Sequence, residues 1–71
     1  MPRVSGKALA SALEKAGFVR KRVHGDHATY QHPETGHIAT VPLKNRALPI
    51  GTISSILRQT GLTPERLREL L

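Results

Sequence analysis

The stretch Phe18–Pro42, FVRKRVHGDHATYQHPETGHIATVP, decides the fold. Its side chains alternate with a period of two, the signature of strands with one covered face. Val19 and Val23 alternate with Arg20, Arg22 and His24 in a first, half-buried strand, on which Arg20 and Arg22 point the same way. Lys21 is the misfit there, and it signals a bulge or a shifted register. Gly25-Asp26 makes a turn, in the reverse order of the stronger Asp-Gly pair. The second strand runs through His27–His32, with Ala28 and Tyr30 on one face and His27, Thr29 and Gln31 on the other. His32-Pro33-Glu34-Thr35-Gly36 turns the chain again. A third strand follows over His37–Val41 and stops at Pro42, which has no N–H to give a ladder.

Outside this meander the period changes to that of helices. Ser5 is placed to cap a helix in which Leu9, Leu13 and Ala16 form an apolar stripe, and Gly17 ends it. After an exposed loop over Lys44–Ala47, Ile53, Ile56 and Leu57 line one side of a second helix, closed by Gly61. Thr63, Pro64 and Glu65 are N-cap, first residue and favourable first-turn charge of a short third helix. Leu62 and Leu67 have staple spacing, and Leu67, Leu70 and Leu71 are expected inward. The expected fold is α+β, one domain over residues 1–71. It is a three-stranded antiparallel sheet with two helices on one face (α-β-β-β-α), plus a short C-terminal helix. The other face is left to solvent, and function is expected there.

Composition narrows the functions. The 71 residues carry 11 Lys+Arg against 5 Asp+Glu, a net charge of +6. A chain this short must spend nearly every Leu, Ile and Val on one core, which leaves no room for a deep cavity or a cofactor domain. There is no cysteine, hence no disulfide, thiolate metal site or cysteine nucleophile, in keeping with a reducing cytoplasm. No segment has the length of a membrane span. The expected partner is a polyanion or an acidic protein.

Lys15, Arg20, Lys21 and Arg22 lie within ten residues that hold no acid. Such a cluster suits phosphate oxygens, and it also serves as a solvated edge that resists pairing. Of the four histidines, His24, His27, His32 and His37, the last two are expected at the surface, and no donor set for a metal is seen. His27 begins the second strand just after the bend, on the polar face beside the arginines. An imidazole there can move a proton at a ribose 2′-hydroxyl or at a leaving 5′-oxygen. An exposed strand histidine with no role is the plainer alternative.

The run Arg22-Val-His-Gly-Asp-His27-Ala-Thr-Tyr30-Gln-His-Pro33 resembles the central motif of HicA-like toxins, also called the YcfA family. Thr40-Val-Pro42 and Leu48-Pro49-Ile-Gly51-Thr-Ile-Ser-Ser-Ile56-Leu-Arg-Gln-Thr-Gly61-Leu are similar to its third strand and second helix. Ser5-Gly-Lys and Glu14-Lys-Ala-Gly17-Phe18 also match, so the likeness covers nearly the whole chain in order. The resemblance implies a fold like a double-stranded-RNA-binding domain and a toxin ribonuclease (mRNA interferase) of a type II toxin–antitoxin module. It further implies neutralisation by a HicB-type antitoxin. It maps the working histidine onto His27 and the motif glycine onto Gly25. Asp26 stands where the family most often has Ser; a carboxylate there can orient the imidazole, and it also repels phosphate.

The expected activity is metal-independent cleavage of RNA by histidine-assisted 2′-OH transesterification in the cytoplasm, without a small-molecule cofactor. His27 is the expected catalytic residue, and Lys7, Arg20, Lys21 and Arg22 the RNA-binding ones. A non-catalytic RNA- or DNA-binding module of the same fold is the alternative, and an adaptor for an acidic protein is a third.

Overall fold

The computed structural model describes residues 3–71. Met1 and Pro2, part of the expected domain over residues 1–71, lie outside the described residues. The elements are α1 (Gly6–Lys15), β1 (Val19–His24), β2 (His27–Gln31), β3 (Ile38–Pro42), α2 (Ile50–Thr60) and α3 (Pro64–Leu70). The strands form one antiparallel sheet in the order β1-β2-β3.

The caps form as their chemistry requires. The Ser5 hydroxyl accepts the Ala8 N–H at 3.1 Å, and the Thr63 hydroxyl accepts the Arg66 N–H at 3.1 Å. One core gathers Leu9 and Leu13 of α1, Ala28 and Tyr30 of β2, and Ala39 and Val41 of β3. Ile53, Ile56, Leu57, Leu67 and Leu70 from α2 and α3 complete it. Each buried Leu or Ile contributes on the order of 2 kcal/mol. Leu71, expected inward, is exposed instead, because the terminal helix ends at Leu70 and its last residue passes beyond the core.

β1 departs most from expectation. Every residue in it is exposed, Val19 and Val23 included, because it is an edge strand and the helices cover the sheet towards β3. Its register against β2 shifts between Arg20 and Arg22, so Lys21 is the extra residue of a bulge. Cross-strand partners share a face. Arg20 opposes Tyr30 on the helix side, whereas Arg22 opposes Thr29 on the open side. The two arginines therefore point to opposite faces, contrary to simple alternation. The same shift separates Val19, on the open face, from Val23, which opposes the buried Ala28.

The helices also give the sheet two unlike ends. α1 and α2 both begin near Pro42. A Cβ on Gly6 would lie 1.7 Å from the Pro42 carbonyl oxygen, so only glycine allows that approach. Both helices end near the Pro33–Gly36 turn, with Gly17 against His32 and Gly61 against His37.

Candidate active site

The hairpin turn sets the site. Gly25 has φ of 65° while Asp26 keeps a negative φ, the pattern of a type II′ turn, which requires glycine first and tolerates aspartate second. Gly-Asp is thus the correct order for this turn rather than a weak Asp-Gly. A two-residue turn places His24 and His27 directly opposite each other, on the open face with Arg22, Thr29 and Thr40. Thr29 and Thr40 join through their hydroxyls at 3.3 Å.

His27 Nδ1 lies 2.9 Å from Asp26 Oδ1, with both side chains about half exposed. A carboxylate only accepts, so the proton of the neutral ring sits on Nδ1 and the Nε2 lone pair remains open. Asp26 thereby sets the ring's orientation and tautomer.

His27 faces a groove between the sheet and α2. At one end the groove is lined by Lys44, Arg46 and Thr52, with a volume of about 450 Å³. It continues past Thr40, Pro42, Ser55 and Gln59, and runs out between Gln59 and Arg22. Thr52, Ser55 and Gln59 recur at helical spacing and give α2 a polar edge along this path. The groove's basic end is held by backbone. The Leu43 N–H donates to the Asp26 carbonyl at 2.6 Å, tying the loop to the hairpin turn. The Lys7 N–H donates to the Lys44 carbonyl at 3.2 Å, and the Leu48 N–H to the Val4 carbonyl at 2.8 Å, tying the loop to the start of α1.

The basic residues singled out by sequence divide into two sets. Arg22 shares the face of His27, and Lys21 emerges at the bulge. Lys7 and Arg20 lie on the helix side, in a separate cleft with Glu14 and Tyr30. There Tyr30 donates its hydroxyl to Glu14 Oε2 at 3.2 Å. Burial, reinforced by the Glu14 carboxylate, holds the Tyr30 pKa above its usual 10.0, and Arg20 partly offsets this. Lys44 and Arg46, which the sequence places in an exposed loop, line the groove beside His27. Their signal was slight: two cations a few residues past the third strand, in a loop leading to a helix start. Among the described residues, no three His, Cys, Asp or Glu side chains gather as a metal site would need. No helix of the described residues is long and apolar enough to cross a membrane.

The remaining histidines are built into the fold. His32 is half-buried rather than free at the surface, its ring edge-on to Phe18 at 5.1 Å. His37 Nδ1 is 3.1 Å from the Thr60 carbonyl at the end of α2.

Fold and groove define a small α+β domain that offers a histidine, braced by a carboxylate and flanked by cations, on one side of an open sheet. A family model described as HicA toxin of bacterial toxin-antitoxin matches residues 6–62 of the 71. The chain belongs to the HicA toxin family, the toxins of toxin–antitoxin systems, whose partner is an antitoxin. In a comparison with curated proteins, no sequence matches the chain.

Proposed function

We propose that this toxin is an endoribonuclease that cuts mRNA by attack of a ribose 2′-hydroxyl on the adjacent phosphorus, with His27 moving a proton in that step. The observation that carries the reading is the His27 ring, braced on Asp26 at 2.9 Å and opening into a groove with Lys44 and Arg46 at its head. Guanidinium and ammonium groups hold phosphate oxygens and offset the charge that grows on them in the transition state. Lys44, Arg46 and Arg22 hold the RNA backbone along this path, with Lys21 at the bulge beside it. Lys7 and Arg20 line the separate cleft on the helix side, where Glu14 opposes phosphate.

The reaction uses groups of the chain and the substrate's own hydroxyl, so it needs no metal ion or small-molecule cofactor. It leaves a 5′-hydroxyl and a 2′,3′-cyclic phosphate or, once that is hydrolysed, a 3′-phosphate. A HicB-type antitoxin would neutralise the toxin by laying an acidic surface over the groove, in the cytoplasm where mRNA is found.

The test is to incubate the purified protein with end-labelled single-stranded RNA in EDTA and identify the termini. Cyclic-phosphate products that disappear in His27→Ala are expected. Cleavage that requires a divalent ion, or that survives His27→Ala, overturns the mechanism. RNA that is bound but never cut by the wild type, whose expression leaves growth unaffected, favours a non-catalytic binding module.

A further inference from the structure

Transesterification needs two proton transfers, and His27 alone supplies one. We infer that His24 supplies the other, acting as general base while His27 acts as general acid. This inference rests on the ribonuclease reading above. What carries it is the register of the first hairpin. His24 and His27 flank the two-residue turn as a direct cross-strand pair, so their side chains leave the same open face with Cβ atoms about 5 Å apart. Both residues are exposed, and a Cβ on Gly25 of the turn that joins them would meet nothing within 4 Å beyond its chain neighbours. A phosphodiester lying across the hairpin end would meet an imidazole on each side.

The surrounding charges assign the roles. Only His27 is in contact with a carboxylate, Asp26, across 2.9 Å. His24 has Arg22 on the same face of its own strand, and β1 is the sheet edge, so no further strand flanks it. Lys44 and Arg46 stand on the far side of His27. The carboxylate against His27 Nδ1 turns Nε2 outward, where it can hand a proton to O5′, and His24, with no carboxylate in contact among the described residues, presents a ring nitrogen to the 2′-hydroxyl. His27 is then the proton donor and His24 the acceptor.

The step balances. The 2′-O–H proton passes to the His24 lone pair as the 2′-oxygen bonds to phosphorus. The P–O5′ bond breaks with its electron pair on O5′, which takes the proton from His27. Hydrolysis of the cyclic phosphate in the reverse sense returns each ring to its starting state, with His27 deprotonating water and His24 protonating O2′.

The experiment measures kcat/KM against pH for two substrates. One is a dinucleotide with an ordinary 5′-alkoxide leaving group. The other is a ribonucleoside 3′-(4-nitrophenyl phosphate), whose leaving group needs no acid. On the dinucleotide, the wild type is expected to give a bell, and His24→Ala and His27→Ala each to lose about 10²–10⁴-fold in rate. His24→Ala should lack the acidic limb of the bell and stay slow on the aryl ester, whereas His27→Ala should recover there to within about tenfold of wild type. His24→Gln, which keeps a polar group without the titration, should behave as His24→Ala. Melting curves should show both His24 variants folded, since the side chain is exposed. An intact bell in His24→Ala, or a change in KM alone, overturns the inference while leaving His27 in place. Rescue of His24→Ala by the aryl ester overturns the assignment of roles. A His27→Ala variant that cuts RNA at the wild-type rate is a different failure, that of the ribonuclease mechanism itself.

Discussion

The two ends of the sheet carry two histidines each, put to opposite uses. At the Pro33–Gly36 end, His32 stacks edge-on to Phe18 and accepts the Glu34 N–H at 3.1 Å, while His37 meets the Thr60 carbonyl. A Cβ added to Gly17 or Gly61 would come within about 3 Å of these rings. At the Gly25–Asp26 end, His24 and His27 project from an open face, and His27 meets the Asp26 carboxylate. The helices explain the contrast. Both finish at the first end, where their last carbonyls and C-terminal glycines give an imidazole something to bond and to pack on. Both begin at the second end, where the start of α2, the positive end of its dipole, lines a groove that already holds Lys44 and Arg46. One pair of histidines is spent on the fold, and the other is left for chemistry on an anion.

The contrast breaks first at His27. His27→Ala should lower single-turnover cleavage of RNA by about 10²–10⁴-fold with a nearly unchanged melting temperature, because the ring is half exposed and its one polar contact is to an equally exposed carboxylate. A comparable loss of stability in that variant would erase the distinction between the ends. His32→Ala should do the reverse. Loss of the Phe18 contact should cost about 1–2 kcal/mol, read as a melting temperature several degrees lower, with the rate per folded molecule within about twofold of wild type.

Salt titrations sharpen the contrast further. Lys44→Ala and Arg46→Ala should each reduce the slope of log affinity against log salt by about 1 for a short RNA, whereas Lys7→Ala should leave it nearly unchanged. Equal slopes for Lys7 and Lys44 would move the RNA path off the groove. The smallest effect is expected at Tyr30, away from both ends. Tyr30→Phe removes the hydrogen bond to Glu14 and should cost about 0.5–1 kcal/mol near neutral pH. Because the native pKa of Tyr30 is raised above 10.0, the folded state holds that proton more tightly than the unfolded chain. Its contribution is therefore complete below pH 10 and is lost as pH rises through the native value. Denaturant midpoints of the wild type should fall above pH 10, and those of Tyr30→Phe should fall less steeply.

Much of the architecture was legible in the chain. Ser5, Thr63 and Pro64 mark helix starts, Gly17 and Gly61 mark ends, and the apolar stripes of α1 and α2 enter the core where their spacing puts them. Lys21 was readable as an irregularity, though not its consequence, which depends on pairing with Thr29 and Tyr30. His27 and Asp26 stood out as neighbours, and their 2.9 Å contact needs only the local turn. Lys44 and Arg46 were not legible as partners of His27, since they are seventeen or more residues away and reach it through the Leu43–Asp26 and Lys7–Lys44 backbone bonds. His32 looked like a surface residue because its partners, Phe18 and Gly17, precede it by a full hairpin.

Near neighbours along the chain set the period of each segment, the capping of each helix and the glycine-first turn, and composition sets the excess of positive charge. These follow from local backbone sterics and from hydrogen bonds spanning three or four residues. Tertiary structure alone decided which face each arginine occupies, which histidines stay open, and which loop cations flank His27. Those outcomes depend on strand register and on helix ends meeting the sheet, and both are set by contacts between residues far apart in the chain.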